Sequence, residues 1–174
     1  MIRRSYEHLD SESMKFLFTA LVRPHLECGN AAWSPRFQKD KDLIEGVLRR
    51  ATRVIPGLKE LPYEDRLQKM GLPSMSYRRA RGDMIEVYKY IHGIYRVTDP
   101  LLKLSTVTNT RGHKYKLEKQ GSNTSVRQHF FTQRVVDQWN KLPESVVAAQ
   151  DLNAFKSSID SHWKAFQFSI GTVC

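Results

Sequence analysis

Two acidic pairs, Asp40 with Asp42 and Glu64 with Asp65, are the nearest this sequence comes to a catalytic centre. Enzymes that move phosphoryl groups with two metal ions hold them between neighbouring carboxylates, because attacking and leaving oxygens both need their charge stabilised. There is no Asp-Asp pair here, and each acidic pair has a plainer use in the opening turn of a helix, where the dipole favours acids. The six histidines are scattered, with no H-E-x-x-H spacing, so His25 and His129 read as packed or solvated side chains rather than ligands. Neither a G-x-x-x-x-G-K-[ST] phosphate loop nor a G-x-S-x-G nucleophile elbow occurs. Cys28 and Cys174 lie far apart and outside any C-x-x-C spacing, which predicts reduced thiols rather than zinc or redox chemistry. The expectation is no catalytic residue, no metal and no cofactor.

What the residue types do support is phosphate binding. The chain carries 28 Lys and Arg against 18 Asp and Glu, a formal charge of +10, which favours an anionic partner. Three clusters are candidates: Arg49, Arg50 and Arg53; Arg78, Arg79 and Arg81; and Arg111 with Lys114, Lys116 and Lys119. Between residues 101 and 134 seven basic residues face one acid, Glu118, so this stretch alone supplies +6 of the excess. A plainer reading stands beside each cluster. Basic helices commonly present only a solvated charged face, and Arg79 can pair with Asp83 one helical turn on. His113, Tyr115, Phe130 and Phe131 could stack on unpaired bases, although aromatics at strand spacing more often fill a core; Trp139 and Trp163 are assigned to the core.

The first cluster is positioned by the clearest helical pattern in the chain, residues 43–58. Leu43, Ile44, Val47, Leu48, Ala51, Val54 and Ile55 recur at three- and four-residue spacing, one buried face with the arginines on its flank. Asp40 or Asp42 can cap its start, and Pro56-Gly57 ends it. Upstream, Ser11 or Ser13 can cap a helix through Met14, Leu17, Phe18, Leu21 and Val22, which Pro24 should end or kink. Downstream, a short helix follows Pro62 with Gly71 at its C′ position, and Ser74 or Ser76 opens another that stops at Gly93. After Asp99-Pro100 the runs become short and turn-rich. His113–Lys119 alternates like a half-exposed strand, Gly121–Thr124 reads as a turn and Val126–Phe131 as a return strand. A helix before Pro143 and a last one capped by Asp151 complete the chain, whose residues from Gln167 onward should fray. The expected fold is mainly α: a helical bundle over 1–98, then 99–174 with a small β-hairpin and C-terminal helices. The longest apolar stretch, near Phe16–Val22, is too short to span a bilayer, so no membrane partner is expected and the protein reads as intracellular, in nucleus or cytoplasm.

Five runs share an order and spacing of their own: Val22–Pro35, VRPHLECGNAAWSP; Arg49–Leu58, RRATRVIPGL; Gly71–Gly93, GLPSMSYRRARGDMIEVYKYIHG; Thr110–His113, TRGH; and Gln133–Pro143, QRVVDQWNKLP. Together they resemble the region that follows the catalytic palm in reverse transcriptases of non-LTR (LINE-type) retrotransposons, especially the jockey-like group. The resemblance spans roughly Phe16 to Trp163. It implies a thumb-like helical part and a C-terminal extension that help hold template RNA and the growing DNA strand. That family's catalytic box, an aromatic residue followed by Ala-Asp-Asp, lies upstream of the matching region and is absent here.

The resemblance therefore implies a non-catalytic, nucleic-acid-binding remnant rather than a polymerase, with RNA or an RNA–DNA hybrid as partner. Phosphate contacts of the three basic clusters would hold a backbone without reading its sequence. The alternative is a protein-interaction or structural relic, in which the Met14–Val22 helix exposes an apolar face that seeks a protein partner.

Overall fold

The computed structural model describes residues 10–98, 100–106 and 112–171. Its helices are α1 (Ser11–Leu17), a π turn (Phe18–Val22), α2 (Arg23–Glu27), α3 (Gln38–Arg53), α4 (Tyr63–Met70), α5 (Met75–Ile91), α6 (Ser125–Gln128), α7 (Phe131–Asn140), α8 (Glu144–Val147), α9 (Leu152–His162) and a 3-10 turn (Lys164–Phe166). The fold is mainly α. The described residues gather into two compact units, one of 10–28, 37–79 and 165–171, the other of 29–36, 80–98, 100–106 and 112–164. The division falls inside α5, between Arg79 and Ala80, rather than at residue 98. The change of composition at Pro100 marks a change of local structure, and nothing local marks where a continuous helix changes its packing partners.

In the first unit, helix α1 starts one residue earlier than the serines suggested. Asp10 is the cap and accepts the Ser13 amide at 2.7 Å, and that bond holds its carboxyl below the usual carboxylate range. Pro24 neither ends the helix nor breaks it. A proline crowds the carbonyl four residues back and cannot donate to it; here the chain widens into the π turn, with the Arg23 amide reaching back to the Phe18 carbonyl, and continues as α2. Met14 and Phe18 face inward, joining Leu48 of α3, Ile55, Leu58, Tyr63, Leu67 and Met70 of α4, Leu72 and Met75 in one apolar core. The end of the chain returns to this core: Phe168 packs against it, the Gln167 carbonyl accepts the Ser74 amide at 3.0 Å, and Ile170 donates to Glu64. Residues 167–171 are thus tied down rather than frayed.

Helix α3 begins at Gln38, ahead of the acids expected to cap it. Phe37 takes the N-cap position without a side-chain bond, Asp40 sits in the first turn, and Asp42 accepts from Gln38 at 2.9 Å. Helix α4 ends as expected on Gly71, at φ 57°, ψ 37°. The Leu72 amide bonds back to Leu67 while both side chains are buried, a left-handed helix stop sealed by an apolar contact. A side chain at 71 must adopt this backbone at a cost, and its Cβ would also meet the Lys15 ammonium at 3.0 Å, a flexible end that can move. We expect Gly71→Ala to lower stability by about 1 kcal/mol, read as a shift of the denaturant midpoint without change of slope. Ser74, not Ser76, opens α5, its hydroxyl accepting the Tyr77 amide at 3.2 Å.

The second unit is built on α5, α7 and α9. Tyr88 stacks on Phe155 at 4.4 Å and on His92 at 4.1 Å, and Trp139 packs beside Phe155. Trp139 and Trp163 are buried, as assigned. The expected hairpin is replaced by a different arrangement. Residues 114–119 are extended, but their backbone partner lies upstream: Leu104 bridges Leu117 antiparallel, with Ser105 donating to Lys116 and Glu118 to Lys103, each at 2.8 Å. No strand longer than this bridge occurs among the described residues. On the other side the Asn140 carboxamide takes a strand's place, accepting the Leu117 amide at 2.8 Å and donating to its carbonyl at 2.9 Å. The presumed return strand, 126–131, is helical because Thr124 caps α6 by accepting the Arg127 amide, and Phe131 already begins α7.

Candidate nucleic-acid interface

The basic residues singled out from sequence divide sharply by what surrounds them. In the first unit Arg78 makes a two-pronged pair with Glu27, Nε to Oε1 and Nη2 to Oε2, both at 2.7 Å. Arg79 is 9% exposed and donates to the Leu26 carbonyl at 3.1 Å. In the second unit Arg81 forks onto Asp160, with its Nη2 at 2.8 Å from the carboxylate. This middle cluster therefore holds helices together instead of facing a ligand. Asp83 receives Arg134 on both oxygens at 2.9 Å. Lys119 is paired with Asp137, the Lys114 ammonium lies 5.1 Å from the Tyr115 ring centre, and Lys116 is half-buried. Arg111 lies outside the described residues, as does Cys174.

The cluster on α3 is different. Leu48 and Thr52 turn inward, which leaves Arg49, Arg50 and Arg53 exposed on the last two turns. None of the three is ion-paired with a described residue. Beyond the helix end the chain folds over Pro56 and Gly57, whose φ of 80° makes the turn. Arg50, Arg53, Val54, Lys59 and Glu60 line an open concavity there of about 590 Å³. Lys59 was not among the sequence candidates, although its place two residues after the Pro-Gly turn was the available signal.

Beneath this surface lies a second residue that was not among the sequence candidates, Arg66 of α4, although its place on the helix face shared by Tyr63, Leu67 and Met70 was the available signal. It is 2% exposed, its Nε has no hydrogen-bond partner, and its Nη1 makes one long bond, 3.4 Å, to the Arg49 carbonyl. Burial and then the charge of Arg53 push its pKa down, with Arg49 adding to the effect. Both Arg49 and Arg66 sit over the ring of Tyr63, with guanidinium carbons 4.9 and 5.4 Å from its centre. Tyr63 in turn donates to the buried Glu45 at 2.6 Å, while the other Glu45 oxygen accepts the Ser76 amide at 3.2 Å. Thus the one buried acid among the described residues of this unit is spent on a hydroxyl and an amide.

Burial, followed by the Glu45 carboxylate, pushes the Tyr63 hydroxyl well above its ordinary pKa of 10. A raised value means that the folded state holds this proton more tightly than the unfolded chain. Its contribution to stability is complete below about pH 10 and is lost as the pH climbs past that value. In an alkaline titration followed by phenolate absorbance, Tyr63→Phe should therefore remove no signal below pH 11, whereas it should lower stability at pH 7 by about 2 kcal/mol because the buried Glu45 carboxylate loses its hydroxyl donor and keeps the Ser76 amide.

The remaining sequence candidates are accounted for locally. His113 is buried with its Nε2 at 3.0 Å from the Trp139 carbonyl, Tyr115 lies 5.0 Å from His92, and Phe131 packs against Tyr90. Phe130 stays exposed. Among the described residues no group of three His, Cys, Asp or Glu side chains is placed to hold a metal ion, and no helix is long and apolar enough to cross a membrane. Comparison with family models, with curated proteins and with solved structures finds no match to this chain.

Proposed function

We propose that this protein binds nucleic acid through its phosphate backbone, without catalysis, as the thumb and post-thumb part of a LINE-type reverse transcriptase would. The observation that carries this reading is the exposed group of Arg49, Arg50 and Arg53 at the end of α3, none ion-paired with a described residue, in a chain of formal charge +10. Exposed guanidinium groups that are not ion-paired with a described residue release counterions from a phosphate backbone at little cost to the protein, whereas Arg78, Arg79 and Arg81 would first have to break their bonds. The five sequence runs support the family reading. RNA and RNA–DNA hybrid are the expected ligands, held by shape and charge rather than by base sequence. Titration of labelled single-stranded RNA, RNA–DNA hybrid and scrambled duplex at two salt concentrations tests it. Binding that weakens with salt and ignores sequence is the expected result; no binding at low salt, or binding indifferent to salt, defeats it.

A second reading rests on the face of α1 and the π turn, where Phe16 is 72% and Leu21 56% exposed. Such side chains would suit a protein partner. Light scattering after size exclusion separates the two, since a clean monomer over a wide concentration range counts against this one.

A further inference from the structure

We propose that Arg49, Arg53 and the buried Arg66 form a built phosphate-binding site, with Arg50 and Lys59 at its rim; this rests on the nucleic-acid reading above and gives it a location. Five cations share this corner of the first unit, none ion-paired with a described residue, and among the described residues Glu60 is the single acid on the concavity beside them. Arg49 and Arg53 stand one helical turn apart, a spacing at which like charges weaken a helix. Arg66 is costlier still, because a buried cation normally has an acidic partner, and this one has a tyrosine ring and one long bond to a carbonyl.

An oxyanion offsets both costs together. Arg53, exposed on the last turn of α3, and Arg49, exposed and seated on the Tyr63 ring, would grip the phosphoryl oxygens. Arg66 would act from behind, its charge reaching the anion through a medium less polarizable than water. The Tyr63 ring holds both Arg49 and Arg66 in place and so presets the site. The ligand is a phosphoryl group, whether a backbone phosphodiester or a free polyphosphate, and these sources call for separate experiments.

The test combines inorganic pyrophosphate with an RNA–DNA hybrid as probes of the full chain and of Arg53→Gln, Arg66→Met and Arg127→Gln. Arg127 is exposed on α6 and serves as a control. Pyrophosphate should shift the arginine Nε–H resonances of the wild type saturably. Arg53→Gln and Arg66→Met should each weaken pyrophosphate binding about tenfold, while Arg127→Gln leaves it unchanged. Arg66→Met should also raise the melting temperature, since it removes an uncompensated buried charge and keeps the apolar stem. Pyrophosphate affinity preserved in Arg53→Gln, or in folded Arg66→Met, overturns the site. If Arg66→Met does not fold, Arg49→Gln with Arg53→Gln decides, because both side chains are exposed. Hybrid binding that survives when the pyrophosphate response is missing refutes this site alone, while loss of both in the wild type refutes the function as well.

Discussion

Replacing Arg134 with alanine should lower stability by about 3 kcal/mol, a fall of roughly 6–12 °C in melting temperature for a chain of this size. Arg134 is the hub of the second unit. Its Nε and Nη2 clasp Asp83 at 2.9 Å each, Nη2 also donates to the Asn30 carbonyl at 2.6 Å, and Nη1 donates to the His129 carbonyl at 3.2 Å. One side chain thus ties together three stretches distant in sequence. Both members of the pair are largely withdrawn from water, with side chains 14% and 10% exposed, so the bond is not screened away as a surface pair would be. Alanine leaves the Asp83 carboxylate buried with the Asn30 amide as a remaining donor. Lysine should rescue little of the loss, because a single ammonium cannot fork onto a carboxylate and serve two carbonyls at once. A double-mutant cycle with Asp83→Asn checks the attribution. A melting point within 2 °C of wild type for Arg134→Ala would show that the hub carries no weight.

Trp139→Ala should cost about 4 kcal/mol, the other large loss available in the second unit. The indole is fully buried, 5.9 Å from the His113 ring and 6.0 Å from Phe155. Its removal empties the largest side chain in the unit's interior, and the surrounding helices can collapse only in part. The Nε1–H also donates to the Tyr115 carbonyl at 2.8 Å, so the same change unties the extended segment that Leu117 and Asn140 hold from the other end. Trp139→Phe separates the two contributions: most of the packing stays and the hydrogen bond goes, for a loss of about 1–2 kcal/mol. Denaturant unfolding with near-ultraviolet dichroism reads both. Equal losses for Ala and Phe would place the cost in the hydrogen bond and not in the cavity.

Much of the helical skeleton was legible because its signals are local. The apolar spacing of α3, the glycine ending α4, the stop at Gly93 and the Asp151 cap of α9, whose carboxylate accepts the Ala154 amide at 2.7 Å, all act within a turn or two. Of the two serines offered for α5 the earlier one caps it, Ser74 rather than Ser76, whereas α1 and α3 start from residues that were not offered, Asp10 and Phe37. The segment 113–131 misled because its alternation describes an extended chain but not its partner. Leu117 found Leu104 and an asparagine side chain, and Thr124 turned the supposed return strand into a helix.

The candidate interface was legible only as a set of charges. Sequence spacing grouped Arg78, Arg79 and Arg81 as readily as Arg49, Arg50 and Arg53, yet the first group is consumed by Glu27, the Leu26 carbonyl and Asp160, the last two 53 and 79 residues away. Partners at that separation leave no local trace. Arg66 is the opposite case: it falls three residues after Tyr63 and four before Met70, on the face that Tyr63, Leu67 and Met70 bury, so its inward turn is a local signal, while Lys69 lies off that face. An arginine's role is set by whether an acid waits for it across the fold.

The most direct test measures the affinity for an RNA–DNA hybrid between 50 and 200 mM salt, comparing wild type with the combined Arg49→Gln, Arg50→Gln, Arg53→Gln variant. If those three side chains contact phosphate, the logarithmic salt slope should become shallower by about three in the variant, at any hybrid sequence. A slope unchanged by removal of all three charges would contradict the claim that the end of α3 grips the backbone.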